Sequence, residues 1–253
     1  MKYFIKNEKN QTLCIQVFLS DTGPKKLAFI CHGITGYKEQ DVLLQTQNSL
    51  SKLGYNVVCF DCRNSRGESF NNGKCATLTD FIDDLFTVIE WAKKQPFFIS
   101  PFLLAGHSLG GACVTDYAQK NPDIVSHLIL ISSIFSGKEL LDNTQKNSPA
   151  FLEELKSKGI IRSRNGINCF LDFSYLQNAL QYNFYKNITS LMMPILLITG
   201  DNDTASLPEN NLNFYNQISA YKKMHILNHC SHIYDLPENQ KDLDLAITQF
   251  LSH

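Results

Sequence analysis

The 253-residue chain predicts a doubly wound α/β fold, and three observations carry that prediction. Short β-rich runs alternate with longer helical patterns. Most of those runs are near-continuously apolar, as parallel strands covered on both faces must be. One stretch, 134–189, breaks the rhythm, and a compact domain rarely holds a structureless loop that long. About 250 residues is an ordinary length for one α/β domain.

Taken in order, Tyr3–Lys6 and Thr12–Leu19 flank Asn7–Asn10 and read as an antiparallel hairpin. Six apolar strands follow: Leu27–Cys31, Asn56–Phe60, Pro101–Ala105, His127–Ser132, Pro194–Thr199 and Lys223–Leu227. Together they predict a mostly parallel eight-stranded sheet with helices on both faces. Leu78–Lys94 places Phe81, Ile82, Leu85, Ile89 and Ala92 on one helical face. Leu109–Gln119, Glu209–Ile218 and Gln240–Leu251 are further helices. Within 134–189 no strand is expected, and Pro149–Ser157 and Ser174–Lys186 read as short helices. That stretch is therefore expected to be an inserted helical cap on a core made of 1–133 and 190–253.

Composition sets limits on partners. Hydrophobic residues make up 43% and charged residues 19%, which excludes a disordered or coiled-coil chain. With 23 basic against 24 acidic residues, no positive field exists to drive nucleic-acid binding, and none is expected. Cys14, Cys31, Cys59 and Cys113 lie in apolar runs and read as packing, as do Cys75, Cys169 and Cys230 by default. Cys59-x-x-Cys62 has no second pair, so no metal is expected. The charged start MKYFIKNEKNQ lacks the apolar centre of a signal peptide. No apolar run approaches the ~18 residues of a transmembrane segment. The expectation is a cytoplasmic protein with reduced thiols.

The sharpest motif is Gly106-His107-Ser108-Leu109-Gly110, a G-x-S-x-G, of which chance supplies about 0.05 in a chain of this composition. It directly follows the strand PFLLA and opens the helix at Leu109, the strand–turn–helix setting of a nucleophile elbow. The helix N-terminus turns free N–H groups toward developing negative charge.

With these residues the sequence resembles the α/β-hydrolase superfamily, and further matches extend the resemblance over nearly all of it. His32-Gly33-Ile34-Thr35-Gly36 resembles the family's HG oxyanion loop. Asp61-Cys62-Arg63-Asn64-Ser65-Arg66-Gly67-Glu68-Ser69 resembles its D-x-R-G-x-G-x-S segment, with Asn64 in place of a glycine; Asn is the non-Gly residue best able to take a positive φ. Gly200-Asp201-Asn202-Asp203 resembles the G-x-x-D stretch that carries the triad acid. The HG loop and the cap are most similar to the cinnamoyl/feruloyl-esterase-like and lysophospholipase-like branches.

The resemblance implies an α/β-hydrolase fold and the chain order Ser, acid, His, which Ser108, Asp203 and His232 satisfy. A serine hydroxyl needs a base to accept its proton, and the base needs a third group to fix its tautomer. The backbone N–H groups of Ile34 and Leu109 would hold the oxyanion. Asp201 reads as a turn former and His229 as the competing base. His32 and His107 read as structural, Asp61 as a loop-organising acceptor, and His225 as packing or surface. The aromatics Phe170, Phe173, Tyr175, Tyr182, Phe184 and Tyr185 are either the cap's own core or an acyl-binding wall. The expected function is hydrolysis of a small carboxylic ester through an acyl-enzyme, without a cofactor. Thioesters, lysophospholipids and acylglycerols are alternative substrates, and a catalytically silent binding protein is the alternative of another class.

Overall fold

The computed structural model describes residues 1–21 and 26–252; His253, counted with the core above, lies outside them. An eight-stranded sheet organises the chain. Its strands are β1 (Lys2–Lys6), β2 (Thr12–Phe18), β3 (Lys26–Cys31), β4 (Tyr55–Phe60), β5 (Phe102–His107), β6 (Val125–Ile131), β9 (Ile195–Gly200) and β10 (Lys222–Leu227). They lie in the order β1-β2-β4-β3-β5-β6-β9-β10. The β1–β2 and β2–β4 pairs are antiparallel and the others parallel. All eight predicted strands are present.

The apolar runs are continuous because each strand serves two cores. In β3, Leu27, Phe29 and Cys31 join one cluster while Ala28 and Ile30 join the other. In β9, Ile195 and Leu197 divide from Leu196 and Ile198 in the same way. This alternation follows from the two-residue period of a strand. The first cluster is covered by α2 (Leu78–Ala92) and α3 (Leu109–Lys120), the second by α1 (Asp41–Lys52) and α8 (Pro237–Leu251). α2 starts at a capping box, Thr77 with Asp80. α7 (Pro208–Gln217) lies between β9 and β10.

α1 was not expected, because its buried face includes Thr46, Gln47 and Ser49 beside Val42, Leu43 and Leu50. The hydroxyls return hydrogen bonds to their own helix, Thr46 to Val42 O and Ser49 to Gln45 O. A buried face satisfied this way carries no apolar stripe for a reader of the sequence to find.

The segment between β6 and β9 departs most from expectation. It contains α4 (Gly137–Asn147), α5 (Pro149–Ser157), the hairpin β7 (Ile160–Arg164) and β8 (Ile167–Leu171), α6 (Ser174–Ala179) and a 3-10 turn at Phe184–Ser190. The hairpin corrects the expectation that 134–189 has no strand. β7 is short and mostly exposed, but Asn165-Gly166 between the strands, both at positive φ, is a two-residue hairpin turn. The helix expected over Ser174–Lys186 ends at Ala179 and resumes only as the 3-10 turn.

A second correction concerns the thiols. Cys75 and Cys169 form a disulfide across 94 residues, whereas the other six cysteines are unpaired and buried. The bond ties β8 to the loop after β4, and backbone bonds reinforce it: Phe170 N–H to Gly73 O and Cys75 N–H to Phe170 O. Among the described residues no helix is long and apolar enough to cross a membrane.

Candidate active site

The turn between β5 and α3 holds Ser108 at φ 55° and ψ −120°, left-handed backbone for a residue with a side chain. Neighbours hold it there: Ser108 N–H donates to Ile131 O, and Ser108 O accepts from the N–H groups of Gly111 and Ile134. Two glycines make the turn possible. A Cβ on Gly106 would stand 2.3 Å from Gly110 O, and one on Gly110 2.3 Å from Cys31 O, so the turn closes onto itself and onto the end of β3. Such strain is sustained only where surrounding structure over-determines it.

The two other predicted residues reach Ser108 from adjacent strand ends. Asp203 follows β9, and its Oδ1 accepts from Ala205 and Ser206 N–H at 2.9 and 2.8 Å. Its Oδ2 lies 2.8 Å from His232 Nδ1, and His232 Nε2 lies 2.9 Å from Ser108 Oγ. A carboxylate can only accept, so Nδ1 carries the proton and Nε2 is free to accept the serine proton. Burial pushes the Asp203 carboxyl up, but the hydrogen bond and charge of His232 outweigh it, helped by Ser132 and Ser206. The carboxyl is held below its ordinary value.

His229, the competing base, is exposed, takes a positive φ in the loop after β10, and is not among the residues lining the cavity over Ser108. Asp201 behaves as the turn former expected, accepting from Cys230 N–H at 3.2 Å. That bond, with Asn202 N–H to Cys230 O, fastens the acid-bearing loop to the histidine-bearing one.

His107 secures the same loop from the other side. Its Nε2 donates to His232 O at 2.9 Å, and the rings lie 4.9 Å apart. Burial, then the His232 charge, pushes its pKa down to about 3, so it is a neutral donor at ordinary pH. The fully buried Tyr234 anchors the following turn through Ser132 Oγ at 2.9 Å.

Ile34 and Leu109 both line the cavity over Ser108, and among the described residues no protein acceptor meets either backbone N–H. The loop carrying Ile34 is braced as expected by His32, whose Nδ1 donates to Gly33 O at 2.8 Å while Nε2 accepts from Cys62 N–H at 3.0 Å. Asn64 takes the anticipated positive φ, 55°. Asp61 is the loop organiser it was read as, accepting from Lys38 N–H and Glu68 N–H. Lys38, which no sequence signal singled out, bonds Asp61 and Glu68 through Nζ at 2.8 and 2.7 Å. Among the described residues the one cluster of potential metal-ligating groups is Cys14, Asp61 and Glu68. Lys38 bonds two of the three, so the cluster already holds a cation.

The cavity measures about 310 Å³. Its apolar wall includes Leu140, Phe151, Leu171 and Tyr175, all from the segment between β6 and β9. Of the six aromatics singled out in the sequence only Tyr175 reaches it. Phe184 is buried in the core, and Tyr185 bonds Glu139 and packs edge-on to Phe214. Sequence reasoning missed Arg66 and Arg162 as cavity residues.

An eight-stranded sheet with a serine at a strained strand–helix turn defines an α/β hydrolase, and the chain belongs to that family: the model of the alpha/beta hydrolase fold matches residues 29–163. Among solved structures it is similar to Est1E from Butyrivibrio proteoclasticus with ferulic acid bound, at 22% identity and TM-score 0.80 over 99% of this chain and 98% of that one. It is also similar to alpha/beta hydrolase domain-containing protein 10 from mouse, at 15% identity and TM-score 0.77 over 100% and 98%. A curated relative, protein phosphatase methylesterase 1 of Gibberella zeae, is 28% identical over 119 residues. That match covers 44% of this chain and 29% of the methylesterase, less than a third of its length.

Proposed function

We propose that this α/β hydrolase cleaves carboxylic esters through an acyl-enzyme, with Ser108 as nucleophile, His232 as general base and Asp203 as its orienting acid. The observation that carries this reading is the unbroken relay from Ser108 Oγ to His232 Nε2 at 2.9 Å and from His232 Nδ1 to Asp203 Oδ2 at 2.8 Å.

In the first half-reaction Ser108 Oγ attacks the ester carbonyl as Nε2 takes its proton. The charge on the carbonyl oxygen is met by the N–H groups of Leu109 and Ile34, and His232 returns the proton to the leaving alcohol. Water then attacks the acyl-serine with His232 again as base, releasing the acid. Asp203 keeps His232 in one tautomer and stabilises the imidazolium without itself taking the proton. The segment 134–189 acts as the cap that supplies the acyl-binding wall. A volume of about 310 Å³, at the small end for ligand sites, favours a small acyl group over a long-chain lipid. The esterase and methylesterase names of similar proteins support the same bond type. Six buried unpaired thiols support a cytoplasmic setting, while the Cys75–Cys169 bond supports an oxidising one.

Labelling with a fluorophosphonate probe tests the assignment. Wild-type protein is expected to label, and Ser108→Ala and His232→Ala to lose the label while His229→Ala keeps it. A folded wild type that does not label favours the silent binding protein.

A further inference from the structure

The cavity carries a charge pattern that ester hydrolysis alone does not require. Two guanidinium groups line it, Arg66 and Arg162, and no carboxylate does. Arg66 lies in the loop after β4 and is half-buried. Its Nε donates to Thr35 O, its backbone N–H to Gly36 O at 3.2 Å and its Nη1 to Ser163 O at 3.3 Å. The guanidinium is thus fixed beside the loop that carries the Ile34 N–H, and its Nη2 meets no protein acceptor among the described residues.

Arg162 comes from an exposed position of β7, and its side chain has no ion pair or hydrogen bond among the described residues. Arg164, two residues on, has its charge met by Glu39 at 3.5 Å and by the Tyr37 ring at 3.6 Å. Burial lowers the Arg66 guanidinium, Tyr37 raises it, and the like charges of Arg162 and Arg164 lower it again. The half-buried Arg66 and the exposed Arg162 thus set two like charges on the lining of one cavity, and a guanidinium matches an oxyanion with paired donors.

We propose that the physiological ester carries an oxyanion, carboxylate or phosphate, seated between Arg66 and Arg162 while its carbonyl lies at Ser108. This names the substrate class of the site and rests on the serine-hydrolase reading above. Arg66, already tied to Thr35 and Ser163, supplies a fixed donor. Arg162 supplies the second, because no carboxylate or other acceptor among the described residues competes for its side chain.

Matched esters test the proposal. With the charge on the acyl side, mono-4-nitrophenyl succinate is compared with 4-nitrophenyl butyrate. With the charge on the alcohol side, 4-carboxyphenyl and 4-phosphonooxyphenyl butyrate are each compared with 4-carbamoylphenyl butyrate. At least one anionic ester is expected to exceed its neutral partner in kcat/KM by about 10- to 100-fold, the range of a charge-assisted hydrogen bond. The preference should lie mainly in KM and should shrink as salt is raised. The pair that shows it identifies which side of the ester, and which oxyanion, the arginines receive. Arg162→Gln should cut that ratio about tenfold and Arg162→Lys should restore part of it, with thermal melts reporting that both variants fold. Neutral esters turned over as well as their anionic partners in every pair, or a ratio that Arg162→Gln leaves unmoved, would overturn the anion site while leaving the hydrolase reading intact. No turnover of any ester together with no fluorophosphonate labelling would overturn both.

Discussion

Below the cavity, His232 after β10 meets Ser108, Asp203 after β9 meets His232, and Ile34 after β3 lines the same cavity, all three just past ends of sheet strands. Above it, Leu140, Phe151, Arg162, Leu171 and Tyr175 belong to one connection between β6 and β9. Its ties to the rest of the protein include the Cys75–Cys169 bond, the Phe170–Gly73 backbone bond, the Arg66–Ser163 contact and bonds from Asn178 and Tyr182 to Thr79. The lower region is positioned by eight strands with apolar cores on both faces. The upper region has a two-stranded sheet of its own with an exposed strand. The difference separates two tasks. Proton transfer needs atoms fixed at hydrogen-bond distance, which a parallel sheet and a strained turn provide. Selecting a substrate needs only a wall whose side chains can change, and surface connections tolerate that.

The two regions should respond differently to substitution. Asp203→Asn strikes the lower region hardest: it leaves the shape intact but favours the wrong tautomer of His232, and a loss of roughly 10⁴-fold in kcat on a neutral activated ester is expected by steady-state kinetics. The upper region should break at its tether. Replacing both Cys75 and Cys169 with serine should cost about 2–4 kcal/mol in denaturant melts, as for bonds closing long loops. Hydrogen exchange should rise in β7 and β8 more than in β5 or α3, and an equal rise in both would erase the proposed division.

The smallest effect probes the junction between the Ser108 turn and the His232 loop. His107 titrates near 3 in the folded protein against an ordinary value near 6.5, so between those pH values the unfolded chain binds the extra proton. Its contribution to stability is complete above about 6.5 and declines as pH falls toward 3, by at most about 1.4 kcal/mol per pH unit. Urea melts of wild type and His107→Gln across that window should differ in slope by up to this amount, with the variant the flatter.

Much of the lower region was legible in the sequence because each signal there has a local cause. The apolar runs, the glycines flanking Ser108 and the asparagine at a left-handed position each state a backbone requirement in their own letters. The choice of His232 over His229 rested on the family resemblance rather than on any local pattern, since both lie in one loop. The upper region was poorly legible for the same kind of reason. Arg66 and Arg162 lie in the loop after β4 and in β7, and Cys75 and Cys169 are 94 residues apart, so their convergence is a product of folding alone. The Asn165-Gly166 turn did announce its hairpin, but the polar strand beside it masked the signal. α1 hid because hydroxyls and an amide fill positions where an apolar stripe was sought.

Ser108 should form a covalent acyl intermediate with His232 as its base. This is tested most directly by intact and peptide mass spectrometry of protein quenched within the first turnovers of 4-nitrophenyl acetate. One added acetyl group is expected on the peptide containing Ser108, absent in Ser108→Ala and His232→Ala and present in His229→Ala. An acetyl group on another residue, or turnover with no adduct under any quench, would contradict it.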